Sequence, residues 1–380
     1  MIHEKYKDHK GREIEINKNK LLTVAVIGGK ESGKSSLIRV LCKTDFSGNS
    51  NAFIDSKIRC RKIETDNFDA VNNTVTLGFS FDKLFKTDEN EFLMRFIEDN
   101  DDTDTELLIN KSDAVLVVID SPSLMELGPG KYGLNYRDET LKMMFNRSET
   151  GQESGLENKL VIFVLVKCEK YMSNTDNTGN MNTLCGKLIN KYNTSSKGSS
   201  TIKYLIENDS TVLISPVITD SHFVFKNFDE NRKQIFGFSP DLIKNGAKEI
   251  FGYSSRTLFE RQLLLTLIRF RIEKWLRNIE NNKSRSKRIK SYFNSKSDVK
   301  DSMIVEPYIV NMLKGPLFTA LIKYTRILVG SEWESVAKNK NAKIFGIKPE
   351  QKTHGFAVVN DPNRYYEDRM DIKKIKNVLR

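Results

Sequence analysis

Residues 21–41, LLTVAVIGGKESGKSSLIRVL, constrain the fold of this chain more than any other stretch. An apolar run from Leu21 to Ile27 leads into a loop rich in glycine, and the helix-forming segment 36–41 follows. The loop has the spacing G-x-x-x-x-G-K-[ST], which is typical of a buried strand that turns sharply into a helix around a phosphate group. The stretch therefore predicts a strand–loop–helix unit that binds a nucleotide. The alternative is an ordinary glycine-rich turn with an incidental Gly-Lys-Ser.

The residue types of this loop suit a polyphosphate ligand. Gly28 and Gly33 let the backbone wind round phosphate groups with its N–H donors pointing inward, where side chains would collide. The helix that begins near Lys34 directs its positive end at the same phosphates. We expect Lys34 to reach the β- and γ-phosphate oxygens, and Ser35 to help coordinate a Mg²⁺ ion that keeps several waters. The predicted nucleotide-binding residues of the loop are Gly28, Gly29, Lys30, Glu31, Ser32, Gly33, Lys34, Ser35 and Ser36.

Length and charge limit the class of protein. At 380 residues the chain is long for one domain, which predicts a nucleotide-binding domain with an extension. The net charge of +11 favours acidic partners such as nucleic acid or an anionic membrane, although a general richness in lysine also raises the pI.

Cysteine usage and hydropathy bear on the compartment. The four cysteines lack C-x-x-C spacing, and three lie in or beside apolar stretches, so we expect free thiols in a reducing compartment. No apolar stretch approaches the roughly 18–20 residues of a membrane span, and the first 20 residues are too charged for a signal peptide. These features predict a cytoplasmic protein with no transmembrane segment.

Apolar strand-like segments alternate with helical ones, and this alternation predicts an α/β sandwich with a mainly parallel sheet. The predicted core strands are 21–27, 114–119, 160–166 and 212–217, and an antiparallel hairpin is predicted from 74–85 and 91–98. The predicted helices are 34–43, 138–146, 184–192 and 257–279, with a further helical stretch at 302–329. Irregular structure is expected over 220–255, and a strand-like segment at 356–359.

The order of these motifs resembles that of the GTPases of the translation-factor-related (TRAFAC) clade, which includes the small Ras-like proteins, over roughly residues 21–280. In that family a threonine near the second strand coordinates Mg²⁺ and contacts the γ-phosphate. Thr76-Leu77-Gly78 resembles the family's T-I-G form, so the resemblance gives Thr76 a catalytic and metal-binding role, with Thr74 as the reserve. A threonine that merely stabilises a strand is the alternative.

The third-strand motif of the family, D-x-x-G, is only partly present. Asp99 stands where the Mg²⁺-binding aspartate belongs, next to Glu98, but Asp102 replaces the glycine that senses the γ-phosphate. No glutamine or histidine follows directly to position the attacking water. The resemblance therefore implies slow hydrolysis of GTP. An exposed acidic turn is the alternative for this segment.

The family's base-recognition motif, N-K-x-D, is matched by Val166-Lys167-Cys168-Glu169. The resemblance implies that Lys167 covers the guanine base and that Glu169 accepts hydrogen bonds from its N1–H and N2–H. Ser215, in Ser-Pro-Val, resembles the S-A-K loop that contacts the base. The implied cofactors are GTP or GDP with Mg²⁺. A strand that simply ends in polar residues is the alternative.

The segment Phe259–Leu267, FERQLLLTL, is similar to the start of the last helix in bacterial conflict-system GTPases of this clade. Because those proteins work beside partner proteins, the resemblance implies a protein effector or operon partner. The chain then divides into a polar lead-in (1–20), a P-loop GTPase-like domain (21–280), a basic linker (281–300) and a small C-terminal extension, α+β or helical (301–380). Residues 283–300 either contact nucleic acid or an anionic membrane, or serve as a solvated linker.

Three functions stay open on the sequence alone. The first is a regulatory GTPase whose segments at roughly 64–78 and 99–112 respond to the γ-phosphate. The second is a P-loop ATPase that uses Asp120, which follows the apolar run AVLVVI, as its Walker-B carboxylate. The third is a degenerate scaffold that holds a nucleotide as a structural ligand without catalysis.

Overall fold

The computed structural model describes the helices and strands that carry the predicted motifs. The described residues are 5–7, 13–15, 21–41, 52–55, 58–63, 74–81, 92–100, 104–127, 138–146, 159–173, 181–193, 200–217, 219, 223–238, 263, 264, 266, 267, 270 and 357–360. The predicted basic linker at 281–300 and the predicted helical stretch at 302–329 lie outside them.

Thirteen strands are present in the described part of the chain. They are β1 (Lys5–Lys7), β2 (Glu13–Glu15), β3 (Leu21–Ile27), β4 (Ala52–Asp55), β5 (Ile58–Ile63), β6 (Thr74–Phe81), β7 (Phe92–Glu98), β8 (Ala114–Asp120), β9 (Leu160–Val166), β10 (Thr211–Pro216), β11 (Phe223–Phe228), β12 (Gln234–Phe238) and β13 (Ala357–Asn360). The helices are α1 (Lys34–Leu41), α2 (Thr105–Lys111), α3 (Asp138–Asn146), α4 (Glu169–Ser173), α5 (Met181–Asn193) and α6 (Thr201–Glu207), and a π-helical turn covers Ser123–Leu127.

Nine of the strands form one sheet in the order β13-β10-β9-β8-β3-β7-β6-β5-β4. The five central strands from β10 to β7 are mutually parallel, whereas β13, β6, β5 and β4 each run antiparallel to the neighbour that joins them to the sheet. The sheet confirms the predicted α/β class with a mainly parallel sheet. It also confirms the predicted antiparallel hairpin, because β6 and β7 pair directly.

The central strands are covered on both faces. Every residue of β8 and β9 is buried, as their uninterrupted apolar sequences require. One face packs against α2, α3, α5 and α6 through buried side chains such as Ile109, Leu141 and Leu188. The alternate residues Val24 and Val26 of β3 are equally buried, so the opposite face is covered as well.

The short helix α2 joins the end of β7 to the start of β8, and side chains hold it at both ends. Asp104 caps its first turn by accepting a hydrogen bond from the backbone N–H of Leu107 (3.0 Å). The buried ammonium of Lys159 donates to the carbonyl oxygen of Ile109 (2.5 Å) near the other end. A positive charge is favourable there because the last carbonyl groups of a helix carry partial negative charge.

The structure corrects one sequence-based prediction and shows elements that the sequence did not predict. Residues 223–238 are not irregular but form the antiparallel hairpin β11–β12. The polar lead-in contains the paired strands β1 and β2, and α6 is a helix that the sequence did not predict. The strand-like segment predicted at 356–359 is confirmed as β13 (Ala357–Asn360), and this strand joins the central sheet by pairing with β10.

The β11–β12 hairpin and the pairing of β13 were not predicted, for physical reasons. The β11–β12 hairpin buries little of its apolar surface, so its strands lack the alternation that marks a half-buried strand. Instead, Asp229 closes its turn by accepting from the backbone N–H of Lys233 (2.7 Å). The pairing of β13 is non-local, and a local hydropathy pattern carries no information about it.

Candidate nucleotide-binding site

The predicted site residues come together at one edge of the central sheet. Parallel strands end at a common edge, and ligands of open α/β sheets bind outside the carboxyl ends of the strands. The register places Val26 beside Glu98, and Asp120 beside Val166. Across this edge lie, in order, Glu98 and Asp99 at the end of β7, the glycine-rich loop after β3, Asp120 at the end of β8, Lys167 and Glu169 after β9, and Ser215 in β10.

The glycine-rich loop has the backbone needed for a tight turn into a helix. The backbone N–H of Ser32 donates to the carbonyl oxygen of Gly29 (3.1 Å), which closes a turn. Glu31 and Gly33 both have positive φ values, 61° and 106°, in the region that favours glycine. The N–H of Leu37 donates to the carbonyl oxygen of Gly33 (2.8 Å), so the first helical bond of α1 begins at this glycine.

The loop lies directly against the neighbouring strand β8. A Cβ atom on Gly28 would stand 2.8 Å from the Ser32 hydroxyl and 2.9 Å from the backbone carbonyl oxygen of Val118. Only glycine therefore fits at position 28 without a shift of the backbone. Lys30 and Glu31 are exposed at the tip of the loop, and Gly29 and Ser36 are partly exposed.

Lys34 and Ser35, the first two residues of α1, face the end of β7. The Lys34 ammonium donates to the carbonyl oxygens of Gly28 (2.8 Å) and Gly29 (3.3 Å) and lies 3.3 Å from a carboxylate oxygen of Asp99. The Ser35 hydroxyl donates to the Glu98 carboxylate at 2.6 Å. Both carboxylates are buried, with 8% of Glu98 and 4% of Asp99 exposed. Because buried negative charge is costly unless a cation compensates it, this corner of the edge is suited to cations.

These groups match the ligand preferences of Mg²⁺. The ion prefers hard oxygen ligands and is usually held by one or two carboxylates together with phosphate oxygens and water. Ser35, Glu98 and Asp99 supply a hydroxyl and two carboxylates beside the loop. No cluster of three or more His, Cys, Asp or Glu side chains suited to a metal occurs in the described part of the chain. A Mg²⁺ ion at this corner would therefore depend on phosphate and water for the rest of its coordination.

Thr76 lies away from this corner. It pairs with Arg95, three residues before Glu98, and is therefore about 10 Å back from the end of β7. Its hydroxyl is buried without a hydrogen-bond partner among the described residues. Thr74, opposite Ile97, lies closer to the edge. The structure thus places Ser35 beside Glu98 and Lys34 beside Asp99 at this corner, but it does not bring Thr76 there.

On the other side of the loop, Lys167 is the centre of a polar network. Its backbone is left-handed, with φ of 54°. Its ammonium donates to the Asp120 carboxylate (2.7 Å), the Gln234 side-chain oxygen (2.8 Å) and the carbonyl oxygen of Glu31 (3.1 Å). The Gln234 amide nitrogen donates in turn to both oxygens of Asp120, at 2.9 and 2.7 Å. Sequence reasoning missed Gln234, because it lies in a segment without a recognisable motif.

Glu169 and Ser215 are buried beside this network. Glu169 begins α4 and is 3% exposed, and Ser215 is 1% exposed with its hydroxyl directed at the carbonyl oxygen of Pro216 (3.4 Å).

Between Lys167 and Glu169, the Cys168 thiol lies 3.8 Å from the carbonyl oxygen of Val217. Burial, reinforced by the charge of Glu169, raises the pKa of Cys168 well above its usual value. Cys168 is thus a neutral thiol that packs in the core rather than a nucleophile.

No protein-family model matches the chain, and no curated protein matches it significantly.

Among the helices that the structure describes, none combines the length and the apolar character needed to cross a bilayer.

Proposed function

We propose that this protein binds a guanine nucleotide with Mg²⁺ and hydrolyses GTP slowly, as a cytoplasmic regulatory switch for a partner protein. The supporting observation is the order of groups along the sheet edge. The glycine-rich loop stands in the middle, the buried carboxylates Glu98 and Asp99 lie on one side, and Lys167 and Glu169 lie on the other. A nucleotide laid along this edge meets cation-binding groups at its phosphates and polar groups at its base.

The hydrolysis step is an in-line attack of water on the γ-phosphorus. A bond forms between the water oxygen and phosphorus, the bond from phosphorus to the β–γ bridging oxygen breaks, and GDP and phosphate are released. One proton of the water stays on the phosphate and the other passes to the solvent. Lys34 neutralises charge on the transferred group after leaving the carbonyl oxygens of Gly28 and Gly29. Ser35, Glu98 and Asp99 would hold Mg²⁺, which supplies further charge neutralisation when bound. Slow turnover is expected because no glutamine or histidine directly follows Asp99.

Base recognition depends on Lys167 and Glu169 in this proposal. The aliphatic stem of Lys167 covers the base while its ammonium is anchored to Asp120 and to the Glu31 carbonyl of the loop. The Glu169 carboxylate accepts from the N1–H and N2–H of guanine, a donor pair that adenine lacks. Because Lys167 contacts the loop directly, the base and phosphate positions are held in a fixed relation.

The geometry favours a GTPase over an ATPase that uses Asp120. Both carboxylate oxygens of Asp120 already accept hydrogen bonds from Gln234, and one also accepts from Lys167. The backbone N–H of Ser123 donates to the other, at 3.1 Å. Glu98 and Asp99, by contrast, stand beside Lys34 and Ser35, where the phosphates and Mg²⁺ would lie.

Replacing Glu169 by alanine should remove the preference for guanine while leaving phosphate binding in place. We expect affinity for GTP and GDP to fall by about 10- to 100-fold, because a charge-assisted pair of hydrogen bonds is lost. Equilibrium binding of fluorescent GTP, GDP and ATP analogues in the presence of Mg²⁺ measures this change. Glu207→Ala, which removes an exposed glutamate from α6, is the control. A preference for ATP that is indifferent to Glu169 would reject the GTPase proposal and make Asp120 the central residue.

Replacing Glu98 by glutamine should weaken the binding of Mg²⁺ at the site. We expect the Mg²⁺ concentration that gives half-maximal GTP affinity to rise by at least about 10- to 100-fold, because a carboxylate that would hold the ion is lost and the loss of a group that only orients a metal ligand already costs that much. A Mg²⁺ titration at fixed GTP analogue, with an EDTA reference, measures the change. The variant should match the wild type in EDTA, and Glu207→Gln should match it throughout. An unchanged titration would place the metal away from Glu98.

The proposed partner contacts are tested separately. If residues 283–300 contact nucleic acid, binding to DNA or RNA should weaken steeply with salt and disappear when these residues are deleted. Binding to anionic vesicles would be lost in the same deletion if the segment contacts a membrane surface instead.

A further inference from the structure

The β11–β12 hairpin inserts one polar side chain into the candidate site. Gln234, the first residue of β12, accepts from Lys167 through its side-chain oxygen and donates to Asp120 through its nitrogen. Both ends of the amide are therefore engaged by residues at the ends of β9 and β8. The contact joins residues 114 positions apart, so it is a property of the folded chain alone.

The amide completes the partners of the Lys167 ammonium. An ammonium has three donors, and here they meet three acceptors on three separate segments, namely the Glu31 carbonyl, the Asp120 carboxylate and the Gln234 amide. A flexible lysine side chain with one acceptor can point in many directions, whereas three acceptors select one. Gln234 also donates to Asp120, which keeps that carboxylate aligned with Lys167.

We infer that Gln234 is a positioning residue for nucleotide recognition, which orients Lys167 over the base through the Lys167–Asp120–Gln234 contact. The inference rests on the proposed function, because it assigns Lys167 to the base. It makes the hairpin a part of the nucleotide site. It also assigns the amide group of Gln234 a role that an apolar side chain of the same length cannot perform.

Other contacts hold the hairpin in place, so the role of Gln234 can be separated from folding. The Phe225 side chain is buried, and the Lys170 ammonium lies 4.9 Å from the centre of its ring. Lys170 also donates to the backbone carbonyl oxygen of Lys226 (2.9 Å). Gln234 itself is only partly buried, so its truncation leaves no closed cavity.

A double-mutant cycle on the full chain tests the inference. Gln234→Met keeps the length of the side chain and removes its polar atoms, and Lys167→Ala removes the group that it orients. We expect Gln234→Met to weaken binding of a fluorescent GTP analogue about tenfold, the effect of losing a hydrogen bond to a charged group. In the Lys167→Ala background the same substitution should change affinity by less than about twofold, because the two residues act as a unit.

Control variants separate positioning from a general loss of structure. Asn227→Ala removes another exposed amide from the same hairpin and should bind like the wild type. Gln234→Ala is measured alongside Gln234→Met, and thermal unfolding of both variants should remain close to that of the wild type.

Each outcome has one meaning. Wild-type affinity in Gln234→Met, or an equal loss in both Lys167 backgrounds, would overturn the positioning role and leave the proposed function intact. A wild-type protein that binds no guanine nucleotide would overturn the proposed function, and the inference with it.

Discussion

Replacing Lys34 by alanine should lower the affinity for GTP and GDP by at least about 100-fold, to below detection in an ordinary fluorescence titration. Lys34 is the cation nearest the loop carbonyls and Asp99, and we expect it to be the principal side chain on the β- and γ-phosphates. Hydrogen bonds between charged partners contribute about 1.5–3 kcal/mol each, and phosphate offers several such contacts to one ammonium. Equilibrium titration with fluorescent GTP and GDP analogues measures the loss.

The Lys34 variant needs a control for charge and one for folding. Lys203→Ala removes an exposed lysine from α6 and lowers the net charge by one, as Lys34→Ala does. This variant should bind nucleotide like the wild type. Thermal unfolding without nucleotide shows whether the loss of the contact with Asp99 disturbs the fold. Wild-type affinity in Lys34→Ala would mean that the glycine-rich loop does not hold the phosphates. In that case residues 301–380 would be the next place to search for the function.

Replacing Gly28 by alanine should lower the free energy of unfolding by about 1–3 kcal/mol, the usual cost of forcing an extra group into a packed site. The added Cβ would stand 2.9 Å from the backbone carbonyl oxygen of Val118 and 2.8 Å from the Ser32 hydroxyl. The serine can rotate, but the carbonyl belongs to a fully buried central strand and cannot give way cheaply. Chemical denaturation measures the change, and the displaced loop should also bind nucleotide more weakly.

A second glycine of this chain provides a matched control. Gly186 lies in α5, and a Cβ atom added there meets nothing within 4 Å. Gly186→Ala should therefore stabilise the protein by about 0.5–1 kcal/mol, because alanine favours a helix over glycine. If both alanine variants unfolded at the same denaturant concentration, the close approach of the loop to β8 would be wrong.

Much of the central fold could be predicted from local sequence. The strands β8 and β9 are uninterrupted apolar runs, because both of their faces are covered, and a run of this kind is recognisable without knowledge of its neighbours. The loop at 28–35 is recognisable because its backbone requires glycine at fixed positions. Gly28 lies too close to β8 for a side chain, and Gly33 has a positive φ. Lys34 and Ser35 are then located by their spacing from those glycines.

Part of the candidate site could be predicted and part could not. The resemblance to GTPases indicated Asp99 and Lys167, which the structure places on opposite sides of the loop. The hydrogen bond from Ser35 to Glu98 depends on the register between β3 and β7, which no local pattern specifies. The resemblance favoured Thr76 with Thr74 as the reserve, yet the pairing of β6 with β7 places Thr74 closer to the edge.

The sequence by itself determined the glycine-rich loop, the buried strands and the mainly parallel class of the sheet, because each leaves a recognisable pattern in residues close together along the chain. Only the tertiary structure decided that β13 completes the sheet and that Gln234 reaches Lys167 and Asp120. These contacts are hydrogen bonds between distant segments. Local sequence does not distinguish the residues that form them from residues of the same type elsewhere in the chain. Hydrophobic periodicity indicates which residues are buried. Which polar side chains form hydrogen bonds with one another depends instead on how the strands pack together in the folded protein.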